Sequence, residues 1–540
     1  MSKNGSPAAR LASVLDQAAE RIKAATGWRR ALIAFLAGIA AALALAPIYA
    51  LPLMAAGFSV LILLIDGASG ADRPRRSAFA AGWFFGFGFF LASVYWMAFS
   101  FFVQADQFAW MAPFAVLGMP AFLAFFAGLS CFAAVKFWRP GWPRIFIFAS
   151  IWTLFEYARG HVLTGLPWNL VGQALAGSAI GAQTAAWYGA YGLSLATVLL
   201  AAAPAAELGA RRAPRAVLSG LAVMLVGVGL LFTVGALRLS LPEPDYDGEN
   251  FLRIVQPNIP QREKIDPNMW ARNFTRQLEL SSGPAPAEGR LFIIWPENGA
   301  PLLNEATTAL GVLSEELPEN SVLLAGAIRR ANDREGIERY YNSIAVIPET
   351  PTGRRAVAHY DKHHLVPFGE YLPFYDWLRV IGLAQLTPYG DAGFSPGAGP
   401  AVLNAGGPSF APLICYEVIF PGAIYPSNNR PEWLLTVTND AWFGDTSGPR
   451  QHLDMARLRS IEAGLPMARS ANTGISAVID AKGRILARVK LYQKGRIEAA
   501  LPPPLPQTLY DRVGDWVFLA FAIGFLVPAV RTPPPPVARP

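Results

Sequence analysis

The chain has 540 residues, of which 53% are hydrophobic and only 15% charged, with a mean hydropathy of +0.31. That balance excludes an ordinary soluble globular protein and points to membrane spans, and two cysteines cannot build a disulfide framework. The formal net charge of +7 does not imply a nucleic-acid partner, because the basic residues cluster in short segments between apolar runs, where they act as topology signals.

Seven apolar runs precede residue 240: Trp28–Ala46, Tyr49–Ile65, Phe79–Phe102, Phe108–Phe137, Ile145–Tyr157, Ala179–Ala203 and Ala216–Ala236. Each is read as a membrane-spanning helix, so residues 28–240 form a seven-helix membrane domain behind an N-terminal segment, 1–27. Arginines and lysines mark alternate connections. Arg10, Arg21, Lys23, Arg29 and Arg30 lie before and at the start of the first span; Arg73, Arg75 and Arg76 follow the second; Lys136, Arg139 and Arg144 lie at and after the end of the fourth; and Arg211, Arg212 and Arg215 follow the sixth. The intervening connections carry almost none, Arg159 being the exception. This places the N-terminus in the cytoplasm and residues 245–510 outside it. An eighth run, Val513–Val530, then returns the Pro-rich tail, 531–540, to the cytoplasm, where its composition predicts disorder. Ala44-Leu45-Ala46 has the look of a signal-peptide cleavage site, but the preceding segment is too long and six more spans follow, so an uncleaved helix is expected. Glu156 and Arg159 share one helical face in the fifth run and are read as a mutual pair, an interfacial anchor or a functional site.

Between 245 and 510 the pattern changes to short β-rich runs: Phe251–Val255, Leu291–Trp295, Ser321–Ala325, Ser343–Ile347, Phe410–Ile414, Trp433–Val437 and Ile475–Ile479. Helical patterns fall over Asn268–Leu280 and Arg450–Ala463. Near-continuous aliphatic strands alternating with helices predict a layered α/β domain. Three runs end in reactive side chains: Leu291–Trp295 leads into Glu297, Ala356–Tyr360 into Lys362, and Phe410–Ile414 into Cys415. A thiol is mostly protonated at neutral pH and needs activation. A carboxylate serves as base, and a lysine favours the thiolate and stabilises an oxyanion. Glu297, Lys362 and Cys415 are thus a sufficient acyl-transfer set, with no cofactor. Taken singly, Cys415 reads as inert core, Glu297 as a cap and Lys362 as a surface charge. His359, His363 and His364 lack a zinc-binding spacing, and no metal is expected.

The joint context resembles the nitrilase superfamily. It is carried by Trp295-Pro296-Glu297, by Tyr360 to Glu370, by Ile414-Cys415-Tyr416-Glu417, and downstream by Thr438 to Gly444 and Arg469 to Gly474. The resemblance implies a four-layer α-β-β-α sandwich with Glu297, Lys362 and Cys415 as triad, and Glu370, Tyr416, Glu417, Asn342 and Trp442 as supporting pocket residues. With seven spans before the domain and one after, the chain as a whole resembles the apolipoprotein N-acyltransferase family. That likeness implies a phospholipid acyl donor, a diacylglyceryl apolipoprotein acceptor, a thioester intermediate on Cys415, and residence in the bacterial inner membrane with a periplasmic catalytic domain. One departure is Ile265 after Lys264, where an aromatic residue is expected. Between Glu370 and Cys415, the apolar segment Pro373–Leu386 presents Phe374, Trp377 and Ile381 as an expected lipid-facing lid. Two other readings compete: a membrane-tethered amidase, which has no use for seven spans, and a transporter or sensor, which has no use for a complete triad. Nothing in the sequence demands a multimer, and a monomer is expected.

Overall fold

The computed structural model describes residues 7–208, 214–244, 249–286, 288–301, 307–333, 335–373, 375, 380, 393–422 and 424–532. Phe374, Trp377 and Ile381, the expected lid residues, lie outside the described residues. The chain divides into two compact units, Met1–Leu241 with Leu509–Pro540, and Pro242–Thr508.

In the first unit every apolar run of the sequence contains a helix, and the longest are Pro74–Val94, Ala112–Ala134 and Pro214–Ser240. Among the described residues, five helical stretches are long and apolar enough to cross a membrane: Leu51–Ser69, Pro74–Phe101, Ala105–Phe137, Ala185–Ala205 and Ala216–Ser240. The first and last runs fold as shorter helices, Gly27–Ala42 and Trp516–Arg531, of 16 residues each. Small residues let the helices approach closely. A Cβ on Gly38 would lie 2.0 Å from the Phe85 carbonyl oxygen, and one on Gly88 would lie 2.1 Å from that of Phe35. Helix Gly27–Ala42 therefore packs against Pro74–Val94 through both glycines. Phe58, Phe85, Phe148 and Trp152 meet edge-on at the centre, with Phe58 5.1 Å from Trp152. Glu156 and Arg159 are both buried and pair at 4.0 Å. Glu156 accepts from the Val171 amide, and Arg159 donates to the Leu166 and Trp168 carbonyls, so the pair pins the connection that follows their helix.

The second unit is built on two sheets. In chain order the strands are β1 (Asn250–Gln256), β2 (Arg290–Pro301), β3 (Ser321–Asn332), β4 (Glu338–Pro348), β5 (Ala358–Asp361), β6 (Phe410–Ile414), β7 (Trp433–Thr438), β8 (Met467–Ala471), β9 (Ser476–Ile479), β10 (Ile485–Val489) and β11 (Gly495–Ala500). One sheet has the order β11-β1-β2-β3-β4-β5 and the other β10-β9-β8-β7-β6. Within them β1, β2 and β3 run parallel, as do β6, β7 and β8.

The period of two explains the aliphatic runs. Leu252, Ile254, Phe292, Ile294, Val322 and Leu324 face the second sheet and meet Phe410, Ile414, Trp433, Leu435 and Val437. The alternate residues Val255, Leu291, Ile293, Trp295, Leu323 and Ala325 face helices Trp270–Ser281 and Thr307–Glu316 through Phe274, Leu278 and Leu313. A strand covered on both faces has no polar side, which is why these runs look continuous. Strand β8 escapes that pattern because it carries Arg469 and Ser470, which are fully buried polar residues.

Candidate active site

The site lies at the carboxyl ends of the parallel strands, where α/β sheets place their chemistry. Lys264 follows β1, Cys415 follows β6, Asp440 follows β7 and Asn472 follows β8. Glu297 reaches it differently from the sequence expectation, because β2 does not end at Trp295. The register with β3 passes from Trp295↔Ala325 to Ala300↔Ala327, so residues 296–299 bulge out of the ladder. Asn298 at φ 48 completes the bulge, and Glu297 rides on it.

Glu297 is 6% exposed and Lys362 is 1% exposed. The Asn342 side-chain amide donates to Oε1 of Glu297 at 2.7 Å and to Oε1 of Glu370 at 2.8 Å. The other oxygen of Glu370 pairs with the Lys362 ammonium at 2.7 Å and accepts from the Val366 amide at 2.8 Å. Asn342 thus bridges two carboxylates that would otherwise repel each other, while Glu370 anchors the lysine. Burial raises Glu297 above the ordinary carboxylate value and Glu370 raises it further, against the pull of Lys362 and Asn342. Burial alone would lower Lys362, but Glu370 and Glu297 hold it above its usual value.

Cys415 takes a positive φ of 50 at the end of β6, before the helical turn Cys415–Ile419. A non-glycine residue in that region costs energy, so the surrounding structure must hold it. The thiol is driven upward by burial first and then by the charge of Glu297, with Lys362 opposing.

Glu417 does not face an open pocket. Its Oε2 accepts from the Ile414 amide at 2.8 Å, and its Oε1 accepts from the Tyr360 hydroxyl at 2.8 Å and from the His363 and His364 amides at 2.9 and 3.2 Å. His363 Nδ1 adds a 2.7 Å contact. Glu417 therefore ties the turn bearing Cys415 to the loop bearing Lys362. Tyr416 is buried, with its ring 5.1 Å from Phe420 and 5.6 Å from His364. Trp442 sits in the turn Asp440–Phe443 and is partly buried.

Two residues at this site had no role in the sequence reading. Lys264, in the turn Gln261–Lys264, donates to the main-chain oxygen of Glu297 at 2.5 Å. Burial draws it down to about 8, opposed by the charges of Glu297 and Cys415. The turn is tied to the second sheet by Asn439, which donates to Gln261 at 2.7 Å, and by Asn472, which donates to Asn439 at 2.9 Å. His452, on helix Gly448–Ala463, lies 3.1 Å from the Cys415 carbonyl oxygen and 2.8 Å from Asp440 Oδ1. The only sequence signals were position shortly after a strand for Lys264 and a lone histidine in a polar helix for His452.

Comparison with known proteins agrees with this division of the chain. Residues 37–203 match the family model described as apolipoprotein N-acyltransferase N-terminal domain, and residues 252–509 match that described as carbon-nitrogen hydrolase. A relative named apolipoprotein N-acyltransferase from Rhodopseudomonas palustris is 42% identical over 93% of this chain and 95% of its own. One of the same name from Brucella melitensis is 41% identical over the same shares. A solved CN-hydrolase superfamily protein from Xanthomonas campestris aligns over 52% of this chain and 95% of its own, at 18% identity and a TM-score of 0.32. With apolar helices long enough to span a membrane in one unit and a two-sheet hydrolase unit in the other, the chain belongs to the apolipoprotein N-acyltransferase family, the lipoprotein-acylating membrane branch of the carbon-nitrogen hydrolases.

Proposed function

We propose that the protein moves an acyl chain from a membrane phospholipid to the amino terminus of a diacylglyceryl apolipoprotein through a thioester on Cys415, with Glu297 as general base and Lys362 as oxyanion partner. The observation that carries this reading is the shared buried network of Glu297, Asn342, Glu370 and Lys362 beside a cysteine held in a left-handed turn.

In the first half-reaction Glu297 takes the Sγ proton as Cys415 attacks the ester carbonyl. The negative charge that develops on the carbonyl oxygen is met by the Lys362 ammonium, which Glu370 keeps charged and in place. The C–O bond then breaks, Glu297 returns its proton to the departing lysophospholipid alkoxide, and the thioester remains. In the second half the lipoprotein amine attacks the thioester, Glu297 accepts the amine proton, and the thiolate leaves and is reprotonated. The raised proton affinity of Glu297 suits a group that accepts and returns a proton twice per cycle.

The charge pattern of the connections supports cytoplasmic termini and a periplasmic catalytic unit in the inner membrane. Intact mass spectrometry of purified protein incubated with phospholipid and no acceptor tests the reading. A gain of one acyl chain, mapped to Cys415 and missing in Cys415→Ala, is expected. No adduct on a reactive Cys415 thiol would refute the phospholipid-donor reading.

A further inference from the structure

Behind the nucleophile lies a charged cluster for which the proposed reaction has no use. His452, Asp440 and Arg469 are each fully buried. His452 Nδ1 stands 2.8 Å from Asp440 Oδ1, and its Nε2 stands 3.1 Å from the carbonyl oxygen of Cys415. Arg469 bonds the other oxygen of Asp440 at 2.7 Å and comes within 3.2 Å of Nδ1, while Thr438 donates to Asp440 Oδ1 at 2.8 Å. The Phe443 ring lies 6.4 Å from that of His452.

The Nε2 of His452 therefore faces an oxygen acceptor, while Nδ1 meets both a carboxylate oxygen and a guanidinium donor. A carbonyl oxygen can only accept, so Nε2 must carry a hydrogen. Burial pushes the Asp440 carboxyl upward, but His452 and Arg469 outweigh it and keep the group ionised.

We infer that His452 is a positioning residue for acyl transfer: its Nε2–H holds the carbonyl of Cys415, and with it the left-handed turn that aims the thiol. The inference rests on the reading of Cys415 as nucleophile. Three elements converge on this bond, since Cys415 follows β6, Asp440 follows β7 and His452 is in the second turn of helix Gly448–Ala463. Glu417 holds the amide side of the same turn through Ile414. His452 holds its carbonyl side, so the backbone around Cys415 is gripped from both directions.

The test uses the full-chain protein in detergent micelles with His452→Asn and His452→Gln. A glutamine amide reaches the Nε2 position and can still donate to the carbonyl, whereas an asparagine amide reaches only the Nδ1 position. The measurements are kcat and KM for acyl transfer, the melting temperature, and the rate of Cys415 alkylation by iodoacetamide, read on the Cys415 peptide to separate it from Cys131. In His452→Asn, kcat and the alkylation rate fall about ten- to a hundredfold with KM unchanged, the size expected when one buried acceptor loses its hydrogen bond. His452→Gln recovers most of both. Unchanged kcat in the asparagine variant, or equal losses in both variants at wild-type melting temperature, would overturn the assignment. If the asparagine variant melts early, the glutamine variant decides alone: kcat near wild type supports the role, and a hundredfold loss in a stably folded protein removes it. Alkylation is read without lipid, so a wild-type protein that reacts with iodoacetamide but never acquires an acyl chain refutes the donor reading and leaves this one standing.

Discussion

Glu417 shows how a buried charge can be structural at the heart of a reactive site. It is 3% exposed, and its two oxygens satisfy donors from Ile414, Tyr360, His363 and His364. Replacing it with alanine strands several buried donors at once, so Glu417→Ala is expected to cost about 3–5 kcal/mol of stability, read as a fall in melting temperature, together with loss of acyl-enzyme. Burial raises this carboxyl, yet contacts with His363 and the Ile414 amide outweigh burial and hold it below the usual 4.5. The sign follows: its stabilising contribution is complete above 4.5, the unfolded value, and is lost as pH falls through the lower folded value. Acid unfolding should be less steep in Glu417→Gln. Lys264 gives a dependence of the same sign in an alkaline window. Held down to about 8, it loses its charge in the folded protein while the unfolded side chain, at 10.5, is still protonated. Stability from this group therefore rises between those values, but the site loses a positive charge beside Glu297. The rate of acyl-enzyme formation is expected to fall as pH rises through about 8, and Lys264→Arg should shift that fall upward, because a guanidinium stays charged. An unshifted profile in Lys264→Arg would exclude Lys264 as its source.

At the scale of single elements, the bulge in β2 is the feature on which the position of Glu297 depends. It crosses β3 at Gly326, where a Cβ would lie 2.3 Å from the Pro296 oxygen and 2.7 Å from the Glu297 Cα. Both are backbone atoms that cannot swing aside. Gly326→Ala must push the bulge outward, and it is expected to lower acyl-enzyme formation about a hundredfold while costing only about 1–3 kcal/mol in unfolding. Equal activity in that variant would show that the bulge tolerates displacement. The strands themselves were largely legible: Phe410–Ile414 is observed with the expected ends, and Trp433–Val437 extends by one residue to Thr438. The bulge was not, because Pro296 looks like a strand terminator when the neighbouring strand cannot be seen. Strand β8 was missed as an element because Arg469 looks like a surface residue until Asp440 is placed against it. Helix Gly448–Ala463 was legible as Arg450–Ala463, two residues short at its start, but not the burial of its charged residues in pairs such as Arg459 with Glu462 at 2.7 Å.

For the whole molecule, orientation across the membrane is the expectation with the plainest test. A cysteine placed at Ala8 should resist a membrane-impermeant maleimide in intact cells and react after lysis, whereas one placed at the exposed Glu319 should react once the outer barrier alone is opened. The reverse pattern would invert the proposed topology. What the sequence by itself determined is what local composition controls: the apolar runs that become helices, the two-faced strands of the second unit, and the motifs carrying Glu297, Lys362 and Cys415. Those signals survive in one dimension because burial in lipid or between layers acts on consecutive residues. Only the tertiary structure decided that Asn342 bridges Glu297 and Glu370, that Lys264 reaches the Glu297 main chain, that Glu417 is a clamp, and that His452 stands behind the nucleophile. Each of these depends on a charge or amide meeting a partner tens of residues away, and at low dielectric its energy is set by distance and remaining solvent, neither of which is written in the order of the residues.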